Sequence, residues 1–87
     1  MPYLVALARV RDYADWRRGF DERTAARRGR GIRGEQIFRN PDEPNEGLVI
    51  FDVEDVEREL QYLRNPESQR ARAQNGIVEF TAWVPES

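Results

Sequence analysis

Two stretches of sequence decide the fold: residues 3–10, YLVALARV, and residues 48–53, LVIFDV. Side chains along a β-strand point alternately to its two faces. In both stretches, the residues on each of the two faces are mostly apolar. Residues 3–10 have Tyr3, Val5 and Leu7 on one face and Leu4, Ala6, Ala8 and Val10 on the other. Such strands are typical of a sheet that is covered on both sides.

The sequence after the first strand predicts a helix. Asp12 is a candidate N-cap, and Tyr13, Trp16 and Phe20 follow at helical spacing. This helix is expected to continue to Gly29, which suits a helix C-terminus. Residues 32–39 then predict a second strand, and the Asn- and Pro-rich residues 40–47 predict a turn before the third strand.

A second helical segment follows the third strand. Asp55 is its candidate N-cap, and its apolar stripe consists of Val56, Leu60 and Leu63. The Asn65-Pro66 pair interrupts the helix, which resumes as far as residue 74 with the proline in its first turn. Residues 77–84 predict the last strand, with Val78, Phe80, Ala82 and Val84 opposite Ile77, Glu79, Thr81 and Trp83.

The predicted order, β-α-β-β-α-β, is that of a ferredoxin-like α+β fold. Its antiparallel four-stranded sheet has the order 4-1-3-2, with both helices on one face. We expect one domain over residues 1–87. The helices cover only one face, and the apolar residues on the other exceed what a monomer usually exposes. The pattern therefore predicts a homodimer whose sheets pack face to face.

Composition excludes several kinds of site. The chain has no cysteine and no histidine, which excludes disulfides, thiolate nucleophiles, Cys/His zinc sites and histidine-ligated haem. The chain has fourteen basic residues, all arginine, and sixteen acidic residues. The resulting net charge of −2 argues against nucleic-acid binding. No stretch approaches the ~20 apolar residues of a membrane span. We expect a cytoplasmic protein.

The chain resembles the dimeric α/β-barrel superfamily, in particular small antibiotic biosynthesis monooxygenase-like proteins and related proteins labelled "cyclase". The resemblance is carried by the element order, by Asp12-Tyr13-Ala14-Asp15-Trp16 with Phe20, and by the segment 38–46 (FRNPDEPNE) entering an apolar strand. It implies a homodimer, a small-molecule cavity between sheet and helices, and cofactor-free oxidation in which an activated substrate anion reacts directly with oxygen. The haem-degrading branch uses an axial histidine, which this chain lacks.

Aromatic side chains are the candidate substrate-binding residues. Tyr13, Trp16 and Phe20 either line the cavity and stack on a flat substrate or form the core stripe of the first helix. Tyr3 and Tyr62 are further candidate hydrogen-bond donors to a ligand.

Three ionisable residues within apolar strands are the candidate catalytic groups. Asp52 and Glu79 would act as general acid or base if desolvated, and Arg9 would stabilise a developing anion. The alternative is a structural ion pair, with Arg9 as the obvious partner of an acid. The polar loop residues Asn40, Asp42, Asn45 and Glu46 fit no known calcium loop and are explained by turn formation, so no metal and no cofactor is predicted.

Two functions agree with these features. The first is a cofactor-free monooxygenase or cyclase that acts on a small aromatic or polyketide-like molecule. The second is a non-catalytic dimeric protein that binds a small molecule or serves as an accessory subunit. A cavity filled completely by Trp16, Phe20 and Leu60 would favour the second function, whereas an open cavity would favour the first.

Overall fold

The computed structural model describes residues 2–86. Their secondary structure, in chain order, is β1 (Tyr3–Val10), α1 (Tyr13–Glu22), α2 (Thr24–Gly29), β2 (Ile32–Arg39), β3 (Glu46–Val53), α3 (Val56–Arg64), α4 (Pro66–Gln74) and β4 (Ile77–Trp83). The strands form one antiparallel sheet in the order β2-β3-β1-β4. This is the predicted order 4-1-3-2, and the ferredoxin-like α+β prediction is confirmed.

The first helical segment is divided into α1 and α2, whereas the sequence predicted one helix. Asp12 is the N-cap of α1 as predicted, and its Oδ1 accepts the Asp15 N–H at 3.0 Å. The division falls at Arg23, where the Thr24 hydroxyl donates to the Asp21 carbonyl oxygen at 2.7 Å. A side chain that bonds to the preceding turn in this way favours a bend over a straight helix.

The second helical segment divides where the sequence predicted. The Asn65 side chain accepts the Glu67 N–H at 2.8 Å, and Pro66 is the first residue of α4. None of the helices within residues 2–86 has both the length and the apolarity needed to cross a membrane.

All four helices lie on one face of the sheet and bury two groups of side chains there. Trp16 and Phe20 of α1 pack on the first group, which consists of Ala8, Val10 and Val49. The second group, consisting of Leu4, Ala6, Ile32 and Val53, packs against Val56, Leu60 and Leu63 of α3. The two helix pairs thus cover different parts of the sheet, and a space lies between them.

We call the other side of the sheet the open face. Its side chains are Tyr3, Val5, Leu7 and Arg9 of β1, Gln36 and Phe38 of β2, Leu48, Ile50 and Asp52 of β3, and Glu79, Thr81 and Trp83 of β4. Its centre is apolar, because Leu7 pairs with Leu48 and Val5 pairs with Ile50. Three large aromatic residues at its margins, Tyr3, Phe38 and Trp83, are about half exposed.

A β-bulge in β4 corrects one sequence prediction. Arg9 pairs with Glu79, but the next residue, Val10, pairs with Ile77, so that Val78 is the extra residue. Ile77 therefore packs on the helix side with Phe80. Strict alternation had placed Ile77 with Glu79 on the opposite face.

Candidate functional site

A cavity of about 150 Å³ lies between the sheet and the two helix pairs. Its apolar floor comes from the sheet: Leu4, Ala6 and Ala8 of β1, Val49 and Phe51 of β3, and Ile77 and Phe80 of β4. Its walls come from α1 and α2 on one side and from α3 and α4 on the other. The core side chains therefore do not fill the space between the two helix pairs.

Two of the predicted substrate-binding aromatics line this cavity. Trp16 and Phe20 are buried, and their ring centroids are 5.2 Å apart. Phe20 also approaches Phe51 of the floor, at 6.2 Å. These tilted pairs give a flat ligand an aromatic wall, and they also belong to the core. Trp16 and Phe20 therefore belong to the core stripe and also line the cavity, and their stacking on a substrate stays a prediction.

Tyr13 does not belong to the cavity lining. Its ring contacts Trp16, with centroids 5.4 Å apart, and the Arg39 guanidinium lies over it at 4.2 Å. A Cβ at Gly47 would meet the Tyr13 ring at 3.4 Å, so this glycine gives the ring room on β3. Tyr13 thus closes the end of the core beside the 40–45 loop. A role in substrate binding stays a prediction for this residue.

Four arginines line the cavity, and two of them are paired with acids. Arg27 is buried; its Nε donates to Glu35 at 2.6 Å, and its guanidinium lies 3.7 Å from the Phe20 ring centroid. The hydrogen bond from Arg28, together with that from Arg27, lowers the pKa of Glu35 to about 2 despite the opposing effect of burial. Arg27 is therefore a fixed, neutralised part of the wall.

Arg23 and Arg72 have no such neutralisation. No carboxylate of the described residues lies within 4.0 Å of either guanidinium. Arg72 donates to the Leu63 carbonyl and to the Ser68 hydroxyl, both at 2.8 Å. Burial lowers the pKa of both arginines, and the nearby Arg27 charge lowers that of Arg23 further. The cavity therefore has an excess of positive charge.

Glu59 is the one carboxylate among the residues that line the cavity. The residue is only 6% exposed, and its oxygens lie 3.4 Å from Nε and Nη2 of Arg30. These distances exceed the usual 2.7–3.2 Å of an N–H···O hydrogen bond. The carboxylate is thus oriented by Arg30 but keeps the capacity to accept a proton or a hydrogen bond from a ligand.

Sequence reasoning missed Glu59, although a signal was present. Glu59 lies three residues after Val56 and four before Leu63, which places it within the apolar stripe of α3. An acid within the apolar stripe of a helix indicates a buried carboxylate just as an acid within an apolar strand does. Tyr62, a predicted hydrogen-bond donor, lines the mouth of the cavity, with the Arg30 guanidinium 4.0 Å above its ring.

The candidate catalytic residues Arg9, Asp52 and Glu79 lie outside the cavity, on the open face, as does Tyr3. Glu79 forms a salt bridge with Arg9, as the structural alternative proposed. Asp52 accepts a hydrogen bond from Nη2 of Arg33 at 2.9 Å. Because the face of a strand side chain is fixed by its parity, none of these three groups lines the sheet–helix cavity. Their roles as general acid or base and as stabiliser of an anion stay predictions.

The polar loop between β2 and β3 is held together by its own hydrogen bonds. Nδ2 of Asn40 donates to Glu46 at 2.9 Å, and its Oδ1 accepts the Asp42 N–H at 2.9 Å. The Asn45 side chain accepts the Tyr13 N–H at 3.1 Å and so ties the loop to the start of α1. Within residues 2–86, no group of three or more acids is arranged to hold a metal ion.

No protein-family model and no curated protein matches the sequence. Solved structures do resemble the fold. A protein from Bordetella bronchiseptica named as an antibiotic biosynthesis monooxygenase is 18% identical, with a TM-score of 0.76 over 99% of this chain and 95% of that one. A protein of the same designation from Deinococcus radiodurans is 13% identical, with a TM-score of 0.69 over 100% and 92% of the two chains.

A third structure has a more specific name. SnoaB, a cofactor-independent oxygenase from Streptomyces nogalater, is 15% identical, with a TM-score of 0.68 over 99% of this chain and 93% of that one. At such identities the likeness is one of fold. The chain thus has the ferredoxin-like fold of the antibiotic biosynthesis monooxygenase-like proteins, over nearly its whole length.

Proposed function

We propose that the protein is a cofactor-independent monooxygenase that oxidises a small aromatic molecule in the sheet–helix cavity. The observation that carries the proposal is the combination of one buried carboxylate, Glu59, with an excess of arginines around an apolar floor. A base that removes a proton and cations that stabilise the resulting anion are what such a reaction needs from a protein. The shared fold with SnoaB supports the same proposal.

The size of the cavity favours a small substrate. A cavity of this volume, about 150 Å³, is comparable to one that holds a single benzene ring. Of the aromatic and polyketide-like substrates expected from the sequence, those with one ring fit the cavity as it stands. The ring would lie on the sheet floor against Trp16 and Phe20.

Proton removal is the first step of the proposed reaction. Glu59 accepts a proton from an acidic C–H or O–H of the substrate, and the positive charge of the cavity wall stabilises the negative charge that forms.

Oxygen then reacts with the substrate anion. The anion supplies the electrons that reduce O₂, and a new C–O bond forms to give a hydroperoxide after protonation. Loss of water from a hydroperoxide on a CH carbon leaves a carbonyl group. One oxygen atom ends in the product and the other in water, so no external reductant is required. A cyclase would form the same anion but close a ring without consuming oxygen.

We also propose that a second copy of the chain covers the open face. The support is the apolar centre of that face, where Leu7, Leu48, Val5 and Ile50 pair across β1 and β3. Two ion pairs, Arg9 with Glu79 and Asp52 with Arg33, lie at its margin beside the aromatic residues. A self-complementary apolar patch with a polar rim is typical of a two-fold homodimer interface.

Oxygen consumption tests the proposed activity. A panel of one-ring phenols, hydroquinones and 1,3-diketones, each with and without a carboxylate substituent, is incubated with the purified protein in an oxygen electrode, and products are identified by mass spectrometry with ¹⁸O₂. We expect one atom of ¹⁸O in the product, and we expect Glu59→Gln to lower the rate by about 10²–10⁴-fold, the usual contribution of a general base.

The matched control is Glu57→Gln, since Glu57 is exposed on the same helix and lies outside the cavity. It should keep the wild-type rate. A panel that consumes no oxygen above the protein-free rate would contradict the proposal and favour the non-catalytic alternative. Product formation without oxygen uptake would instead identify a cyclase.

A further inference from the structure

The charges around the cavity do not balance. Arg27 is paired with Glu35 and Arg30 with Glu59, but Arg23 and Arg72 have no carboxylate partner among the described residues. The two arginines approach from different helix pairs, Arg23 from the junction of α1 and α2 and Arg72 from α4. Both line the same cavity above an apolar floor.

We infer that this cavity binds a one-ring aromatic carboxylate, whose ring lies against Trp16 and Phe20 and whose carboxylate is held by Arg23 and Arg72. The inference names the ligand class of the site described above and rests on the proposed function for its choice of cavity. It goes further in requiring a permanent negative charge on the ligand before any proton is removed.

The chemistry of the two arginines favours a carboxylate over a phenol. A carboxyl group with a pKa of about 4 is fully ionised at neutral pH, whereas a phenol with a pKa of about 10 is not. Guanidinium groups bind carboxylates through short, charge-assisted hydrogen bonds. Arg72 is also held in place by its bonds to Leu63 and Ser68 and by the Phe80 ring, 4.4 Å from its Cζ, so that little order is lost on binding.

The electrostatics of the cavity wall agree with an anionic ligand. Burial lowers the pKa of Arg23 and of Arg72, which means that both positive charges are less favourable here than in water. A ligand carboxylate between them would reverse this effect. Inorganic phosphate also carries negative charge, but it would leave the apolar floor and the Trp16–Phe20 wall without a partner.

Calorimetric titration with benzoate and its neutral isostere benzamide tests the inference. The two probes have nearly the same shape, so the difference in their affinity reports the charge. We expect benzoate to bind at least about tenfold more tightly than benzamide, and Arg23→Gln to weaken benzoate binding by about tenfold, as charge-assisted hydrogen bonds typically contribute. Benzamide affinity should stay within about twofold of wild type in this variant.

Arg72→Gln should act in the same direction. Because Arg72 also bonds to Leu63 and Ser68, the fold of the Arg72→Gln variant is checked by circular dichroism. If this variant does not fold, the benzoate affinity of Arg23→Gln alone tests the inference. Arg70→Gln is the matched control, since Arg70 is exposed on the same helix and lies outside the cavity. It should bind benzoate as the wild type does.

Two results would overturn the inference: equal affinity for benzoate and benzamide, or benzoate binding that Arg23→Gln leaves unchanged. Both results are independent of the oxygen-electrode assay, so the oxygenase proposal would stand or fall by itself. Conversely, arginine-dependent benzoate binding in a protein that consumes no oxygen would support the ligand class and contradict the oxygenase proposal.

Discussion

Replacing Trp83 by serine is expected to disrupt the proposed homodimer without unfolding the subunit. Trp83 lies on the open face of the edge strand β4, where it pairs with Val5. Trp83 is 49% exposed in the isolated subunit and belongs to neither of the two buried groups of the core, so its replacement leaves those groups intact. Its exposed half is apolar surface that a second copy would cover.

The size of the effect follows from that exposed area. An indole side chain of about 250 Å² that is half exposed leaves roughly 120 Å² to bury, which at ~25 cal/mol per Å² corresponds to about 3 kcal/mol per subunit. A two-fold interface contains the residue twice, so the maximum loss is about 6 kcal/mol. If the partner buries only half of this area, the loss is about 3 kcal/mol, or more than 100-fold in Kd.

Sedimentation velocity from submicromolar to high-micromolar concentration measures this change. The wild type should sediment as a dimer over most of the range, and Trp83→Ser should shift the midpoint of dissociation by at least about 100-fold in concentration. Val78→Ser is the matched control: Val78 is 52% exposed on the same strand, but it lies beside α4. It should dissociate as the wild type does.

Two outcomes would refute this reasoning. A wild-type protein that is folded and monomeric at high-micromolar concentration would show that no second copy covers the open face. A Trp83→Ser protein that dimerises as tightly as the wild type would show that the interface lies elsewhere on the subunit.

Two further predictions concern stability and use chemical denaturation. Because Arg28 and Arg27 lower the pKa of Glu35 from 4.5 to about 2, Glu35 stabilises the fold above pH 4.5, and this contribution should disappear as the pH falls from 4.5 to 2. Glu35→Gln should lower the free energy of unfolding by about 3 kcal/mol at neutral pH and by little at pH 2. An equal loss at both pH values would contradict the prediction. Gly31 has a φ of +90°, and a Cβ there would meet Oε2 of Glu54 at 2.8 Å. Gly31→Ala should therefore lower the free energy of unfolding by about 1–2 kcal/mol. Gly29→Ala is the control: a Cβ at Gly29 would meet no atom within 4 Å, so this variant should be neutral or slightly stabilising. Similar losses in both variants would show that the backbone at Gly31 does not require glycine.

The strands could be predicted closely because their signal is local. The bounds of β1 and β2, Tyr3–Val10 and Ile32–Arg39, are those read from the alternation of side chains. What alternation could not predict was the bulge that moves Ile77 to the helix side, because an unpaired extra residue leaves no trace in the composition of the strand. The division at Arg23 was missed because Thr24, whose hydroxyl bonds to the Asp21 carbonyl oxygen there, is compatible with an uninterrupted helix in the sequence.

The site was harder to predict than the fold because its polar residues come from helices. Asp52 was chosen because it lies in an apolar strand, yet it is an open-face residue paired with Arg33. Glu59 satisfies the same criterion on α3, where the acid lies among apolar residues of the buried stripe. The Arg27–Glu35 pair joins α2 to β2, and no local pattern reveals which of several arginines turns inward.

The cavity and its unpaired arginines lower the stability of a small domain, and something must offset that loss. Desolvated arginines without acid partners are unfavourable and lower the stability of the subunit. A thin core gives little stability to offset this cost. In the proposed dimer, a second subunit on the open face would supply stability from outside the cavity, and the proposed anionic ligand would supply it from within by binding only the folded state. The proposed dimer and the proposed ligand would thus act on opposite faces of the sheet and offset the same cost, that of the positively charged cavity between the helix pairs.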